Sequence, residues 1–183
     1  KGVRVPLPED PALTGTNTLV MLANMAFGIN ENSIYLSPAP LYHAAPLRWS
    51  MTVQKLGGTV VLMKKFDEEG ALAAIEKYRC NCGQFVPTHF VRMLKLPKEV
   101  RQKYDLSSMK VAIHAAAPIS VPVKREMIAW WGPVLFEYYA GSEGNGMTFA
   151  TSPDWLAHPG TVGRAVSGTV HIMAEDNETE LAI

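Results

Sequence analysis

Short apolar runs of strand type alternate with helical stripes through the middle of the chain, and this alternation restricts the fold more than any other feature. Ile34-Tyr35-Leu36-Ser37, Thr59 to Met63, Gln84-Phe85-Val86, Lys110 to Ile113 and Val134 to Tyr139 read as buried strands, several of them bounded by proline or glycine. Between and before them lie apolar stripes at helical spacing. Leu19, Leu22, Ala23 and Ala26 follow the cap candidates Thr14 and Thr16 and end near Gly28, and a second helix from about Ala44 to Leu56 stops at Gly57-Gly58. Asp67 is placed to cap a third helix striped by Ala71, Ala74, Ile75 and Tyr78. A short helix near Phe90 to Leu94 precedes a polar linker, and Val123, Met127, Trp130 and Trp131 stripe a last helix. The expected fold is therefore α/β, a layered and largely parallel sheet flanked by helices.

Beyond Gly144 the helical signals vanish, and Thr169 to Met173 reads as a strand of a more β-rich neighbouring subdomain. The expected organisation is an α/β core over about residues 30–145 and the start of a second subdomain over about 146–183. The first residue is Lys1 rather than methionine, and Glu180 to Ile183 reads as the middle of a strand, so both ends are expected to lie inside a longer protein.

Lysine plus arginine and aspartate plus glutamate number 17 each, which leaves no basic field for nucleic acid. A small anion such as a nucleotide stays open, because backbone amides and a metal can hold it on a neutral protein. Cys80 and Cys82 lack the second ligand pair of a structural zinc site and read as two reduced thiols beside a strand. No membrane-length apolar run and no secretory leader is present, so a cytoplasmic protein is expected, with its oligomeric state open.

Ligands of open α/β sheets bind outside the carboxyl ends of the strands. That rule selects four connections: Pro38 to His43, Pro87 to His89, His114 to Ser120, and Tyr139 to Gly146. They hold the least ordinary residues of the chain. Ala115-Ala116-Ala117-Pro118 lets a flat ligand approach the backbone, and Tyr139 offers a stacking face. Ser142 brings a hydroxyl and Glu143 a hard oxygen on a turn loosened by Gly141, Gly144 and Gly146. Each has an ordinary alternative: Glu143 as a solvated loop acid, Ala115 to Pro118 as a tight connection with Ser120 as helix cap, His43 and His89 as caps, and Trp49 and Met51 as core.

Taken in order, these segments resemble the adenylate-forming superfamily of acyl- and aryl-CoA synthetases, luciferases and peptide-synthetase adenylation domains. Tyr139-Ala140-Gly141-Ser142-Glu143 is similar to its Tyr-Gly-x-Thr-Glu motif, with alanine for glycine and serine for threonine. Ala115 to Pro118 resembles the adenine segment, Pro40-Leu41-Tyr42-His43 the motif whose histidine gates the acyl site, and His158-Pro159-Gly160-Thr161-Val162-Gly163-Arg164 the Gly-x-x-Gly segment that follows. Lys1-Gly2-Val3 resembles the end of the family's phosphate loop.

The resemblance implies a fragment of an ATP-dependent carboxylate–CoA ligase, acting in a setting such as fatty acid metabolism. The acid attacks the α-phosphate of ATP, and coenzyme A then displaces AMP from the acyl-adenylate, so no protein nucleophile is needed. By that resemblance Glu143 holds magnesium, and Ser142 bonds the α-phosphate or carboxylate oxygens. Tyr138, Tyr139, Ala140 and Gly141 with Ala115, Ala116, Ala117 and Pro118 form the nucleotide site, while His43 borders the carboxylate and thiol. Trp49, Val86, Thr88, His89, Ala140 and Gly141 are the acyl-pocket candidates. Their uncharged character points to a fatty, aryl or steroid-like acid rather than an amino acid. The alternatives are a domain that loads a carrier protein or passes its acyl group to oxygen, and a non-catalytic nucleotide- or acyl-binding module. A dinucleotide oxidoreductase is disfavoured, since no G-x-G-x-x-G follows a strand.

Overall fold

A computed structural model describes residues 15–176 and 178–181. Thr14 and Lys1 to Val3 lie outside the described residues. Helix α1 (Thr18–Phe27) is capped by Asn17, whose side chain accepts from the Val20 N–H at 3.0 Å, rather than by Thr16. It ends at Gly28 in the left-handed conformation. The next elements are β1 (Ile34–Ser37), α2 (Ala44–Lys55), β2 (Thr59–Leu62), α3 (Glu68–Tyr78), β3 (Cys82–Phe85) and α4 (Pro87–Leu94). They are followed by α5 (Lys98–Lys103), β4 (Val111–His114), α6 (Val121–Trp131), β5 (Leu135–Ala140), β6 (Met147–Ala150), α7 (Ser152–Ala157) and β7 (Arg164–Ser167).

The strands form one sheet in the order β2-β1-β3-β4-β5-β6-β7. The first five are parallel, each joined to the next through at least one helix, and β6 and β7 add antiparallel to β5. Because successive side chains on a strand point to opposite faces, Tyr35 of β1 enters one core with Ile113, and Leu36 enters the other with Phe85 and Ala112. Helices α1 and α2 cover the first face through Ala23, Phe27, Trp49 and Val53. Helices α3, α4, α6 and α7 cover the second through Leu72, Ile75, Phe90, Met93, Met127 and Trp155. This is the two-sided α/β layer expected from the alternation.

The differences from expectation are local. Asp67 caps α3 as read, but Tyr78 is exposed and Leu72 takes its place in the stripe. The residues taken as a polar linker form α5, which buries none of its side chains and so carries no apolar stripe to read. On α6 the fully buried residues are Lys124, Met127 and Ile128, while Trp130 and Trp131 are only half-buried. Cys80 and Cys82 are free and buried, and burial pushes their thiols up to about 11 and about 12.

Past residue 146 the sheet continues through β6 and β7, and between them lies a helix, α7, in a segment without helical signals in the sequence. It is six residues long, too short for a periodic stripe, and is held by a capping box between Thr151 and Asp154. Its Ser152 hydroxyl both donates to the Leu135 carbonyl at 2.7 Å and accepts from the Leu135 N–H at 3.1 Å. Thr169 to Met173 contributes one isolated bridge, Met173 to Glu180.

The Gly160 to Arg164 segment has a packing reason. Gly163, at φ +94°, leads into β7 so close to β6 that an added Cβ would stand 1.9 Å from the Phe149 carbonyl oxygen. Gly160, at φ +96°, has nothing nearer than 3.9 Å to such a Cβ. Gly163→Ala is therefore expected to lower stability by at least about 3 kcal/mol and Gly160→Ala by about 1–2 kcal/mol. Denaturation midpoints of the two variants check the order; equal losses would contradict it.

Candidate functional site

The carboxyl ends of β4 and β5 and the facing helices α1 and α2 enclose a cleft of about 550 Å³. Leu19 and Leu22 of α1 and Trp49 of α2 give it apolar walls, Ala115 and Ala116 form one rim, and the hairpin from Gly141 to Gly146 forms the other. Two of the four connections selected by the strand-end rule meet here; the Pro38 to His43 connection does not reach the lining, which begins with Ala44 and Ala45 of α2 directly after it.

Alternation along β5 sorts the signature motif. Tyr138 and Ala140 line the cleft, whereas Tyr139 is 67% exposed on the other side of the strand with a free ring face. Tyr138 accepts a hydrogen bond from the Trp49 indole at 3.3 Å, so the buried Trp49 holds the phenol in place. The hairpin turns at Gly141, whose carbonyl accepts from the Gly144 N–H at 3.2 Å. A Cβ at Gly141 would meet the Asn145 amide oxygen at 2.7 Å and the Glu143 carboxylate at 3.0 Å, so its absence lets both side chains fold over the turn.

Ser142 lines the cleft and Glu143 stands exposed beside it, with no ion-pair partner among the described residues. No cluster of three potential metal-ligating side chains occurs among the described residues. A single open carboxylate next to a hydroxyl fits magnesium, which takes few protein ligands and completes its shell with phosphate and water. Glu143 is the residue that would hold it.

Ala116 has φ 76°, a left-handed conformation that costs a residue with a Cβ. Strain of this kind persists where the surroundings dictate it. Ala117 and Pro118 of the same segment are exposed beyond the cleft rim, and Ser120 caps α6 without a side-chain hydrogen bond. His43 is exposed at the start of α2, its ring 4.5 Å from that of Tyr42.

Val86, Thr88 and His89 do not reach the cleft lining. Pro87 sits at the first position of α4, so only Val86 separates β3 from the helix, and α4 packs on the opposite face from α1 and α2. His89 is buried with its ring stacked 4.0 Å from Phe66, accepts from the Val86 N–H, and is held neutral by burial, down to about 4. The expectation of an uncharged lining is also corrected. Arg48 lines the cleft one position before Trp49, and it is the one charged lining residue among the described residues. Its place on the same helix face as Ala44 and Ala45 was readable from i, i+4 spacing.

The sequence pattern of a family described as AMP-binding enzyme matches residues 12–182. The chain belongs to that family, the adenylate-forming enzymes. It is 29% identical over 180 residues to a long-chain-fatty-acid–CoA ligase of Bacillus subtilis (strain 168), an alignment covering 96% of this chain and 32% of the relative. It is 30% identical over 128 residues to 4-coumarate-CoA ligase 1 of Narcissus pseudonarcissus, covering 66% of this chain and 23% of that one. Among solved structures, amide bond synthetase McbA from Marinactinospora thermotolerans superposes with a TM-score of 0.73 at 23% identity, over 90% of this chain and 33% of that one. The chain thus spans about a quarter to a third of the length of these proteins.

In this member of the family a buried charge cluster lies directly under the two rims. Lys124 of α6 donates to the Glu137 carboxylate of β5, both of them sealed from solvent, and the Lys124 ammonium stands 5.2 Å over the Trp155 ring. Burial lowers the Lys124 pKa, and the bond and charge of Glu137 oppose that shift. His114, the last residue of β4, has Nε2 3.7 Å from Glu137 and no hydrogen-bond partner for either ring nitrogen among the described residues. Burial, then the Lys124 charge, pushes it down to about 3, so it is neutral. The lysine escaped the sequence reading because it occupies a position that an apolar stripe would fill.

Removing one partner leaves the other charge buried alone, so Lys124→Met or Glu137→Leu singly is expected to cost about 3–5 kcal/mol, and the double variant much less than their sum. A double-mutant cycle on denaturation midpoints checks this; additive losses would deny the coupling. His114 and His89 are both neutral when folded and titrate near 6.5 when unfolded. Below that pH the unfolded chain binds more protons, so stability falls on acidification. Each imidazole adds a slope of at most about 1.4 kcal/mol per pH unit. Thermal midpoints taken from about pH 7 to about pH 5 should fall less steeply in the His89→Gln/His114→Gln variant.

Proposed function

We propose that this chain is an internal segment of the large N-terminal adenylation domain of an ATP-dependent carboxylate–CoA ligase, with its α/β core over about residues 30–145 and the start of the next subdomain after about 146. The observation that carries the reading is the meeting of Ser142 with the cleft rim formed by Ala115 and Ala116, in a chain of this family whose relatives include named CoA ligases. A cytoplasmic setting, which supplies ATP and coenzyme A, belongs to the same proposal.

The two sides of β5 divide the labour. Adenine packs against the exposed Tyr139 ring and the Ala115 to Pro118 segment, while the acid enters the cleft past Tyr138, Trp49, Leu19 and Leu22. The two meet at Ser142, whose hydroxyl donates to an oxygen of the carboxylate or of the α-phosphate. The carboxylate oxygen then bonds to the α-phosphorus as pyrophosphate leaves, and the thiol of coenzyme A, after losing its proton, takes the acyl group as AMP leaves. Magnesium held by Glu143 would neutralise the phosphate oxygens during the first step. His43, at the mouth beside Ala44 and Ala45, borders the path of the thiol. The apolar walls suit an acid with a fatty, aryl or steroid-like body.

Glu143→Gln in the full-length enzyme is expected to depress magnesium-dependent ATP–pyrophosphate exchange at least about 100-fold with little change in melting temperature, since the side chain is exposed and unpaired. Wild-type exchange by the variant would remove Glu143 from the metal role. Residues 1–183 alone are expected to support no exchange. Offering coenzyme A and a carrier protein in turn to the full-length enzyme identifies the acceptor; thioester formed on the carrier alone would overturn the choice of coenzyme A.

A further inference from the structure

We propose that Arg48 and Tyr138 form an oxyanion subsite in the cleft wall, fitted to a second carboxylate on the acid that the enzyme activates. The inference rests on the reading that the cleft receives the acid, and it narrows the class of acid.

Arg48, like Arg125 and Arg164, has no carboxylate partner among the described residues, and of these three it is the one that lines the cleft. It is exposed on α2, next to the buried Trp49 and among apolar lining residues. Its guanidinium presents a planar fork of donors that matches a carboxylate. The neighbouring phenol supplies the complementary donor. Tyr138 receives the Trp49 indole proton on its oxygen, which leaves its own hydrogen free to be donated into the cleft. The two groups line the same cleft, and burial keeps that phenol protonated, with the positive charge of Arg48 opposing the upward shift. An arginine fork and a fixed hydroxyl are a donor set for one carboxylate.

That carboxylate is not the reacting one. The reacting group must meet the α-phosphate at Ser142, on the hairpin rim, whereas Arg48 belongs to the helical wall with Trp49 and Ala45. The platform proposed for the nucleotide, the exposed Tyr139 ring, stands on the other side of β5 from that wall. An acid with an apolar body and a second carboxylate engages both ends of the cleft at once. Arg48 lying free along the surface with its head in water is the ordinary alternative.

The test uses the full-length enzyme and ATP–pyrophosphate exchange, with adipic, suberic and sebacic acids set against hexanoic, octanoic and decanoic acids. The wild type is expected to favour the dicarboxylic member of at least one pair. Arg48→Met should reduce the ratio of kcat/KM for dicarboxylic over monocarboxylic acid by about 100-fold, through KM, and Tyr138→Phe by about fivefold. Arg48→Lys should restore only part of the ratio, because a point charge lacks the fork. A wild type indifferent to the second carboxylate, equal losses on both acid series in Arg48→Met, or a raised KM for ATP in that variant would overturn the subsite while leaving acid activation standing. Failure to activate any acid of either series would overturn the proposed function and the subsite with it.

Discussion

A lysine and a glutamate sealed between helix α6 and strand β5 carry the geometry on which the carboxyl-terminal edge of the sheet depends. Lys124 lies one turn into the helix that follows the Ala115 to Pro118 segment, and Glu137 precedes Tyr138 on the strand that ends in the hairpin. The pair therefore ties the element leaving one rim of the cleft to the element entering the other. Its charges are expensive to bury, and their attraction, helped by the Trp155 ring, offsets that cost without making the pair a large source of stability. What it supplies is a fixed relation between two loops. A neutral His114 at 3.7 Å completes the arrangement, since a charged imidazole would compete with Lys124 for the same carboxylate.

Above this anchor the backbone is locally strained or tightly fitted. Ala116 holds a left-handed conformation, and the hairpin places glycine where a Cβ would strike Asn145 and Glu143. A floating rim would relax such features; a rim fixed at both feet can hold them. The same logic extends to the outer strands. Gly163 brings β7 against β6, and the Thr148 hydroxyl donates to the Val162 carbonyl at 2.7 Å. The Gly-x-x-Gly segment is then a fastening for the far side of the hairpin, and its influence on the cleft runs through β6 and through Ser167 of β7, which lines it.

Much of the scaffold was legible because it follows from local rules. Asp67 before an apolar stripe, Gly28 after one, and β-branched Thr59 to Leu62 each state their structure in a few residues. Short elements with few buried side chains, α5 and α7, left no period to detect. Within the site, residues at strand ends were found by topology, and Ser142, Ala115, Ala116 and Ala140 do meet at one cleft. Val86, Thr88 and His89 satisfied the same rule and failed, because a proline starts α4 at once and turns those residues to the other face. Lys124 and Arg48 were missed for opposite reasons. One is a charge where periodicity demands an apolar residue, and the other is a charge on an exposed helix position whose neighbour across the cleft is distant in sequence.

The alternation of β5 also separates two aromatic side chains that are neighbours in sequence. Tyr138 and Tyr139 are adjacent in sequence, yet one ring is held inside the cleft wall by Trp49 and the other stands in solvent on the opposite side. A strand cannot turn both rings the same way without breaking its pairing with β6, where Tyr138 lies opposite Phe149 and Tyr139 opposite Thr148. Two aromatic residues in succession thus give two separate platforms from one rigid element. The only place where they converge is the end of the strand, where pairing stops at Ala140 and Met147 and the glycine-rich turn begins. A hydroxyl and a carboxylate stand at that turn, Ser142 in the cleft lining and Glu143 exposed beside it.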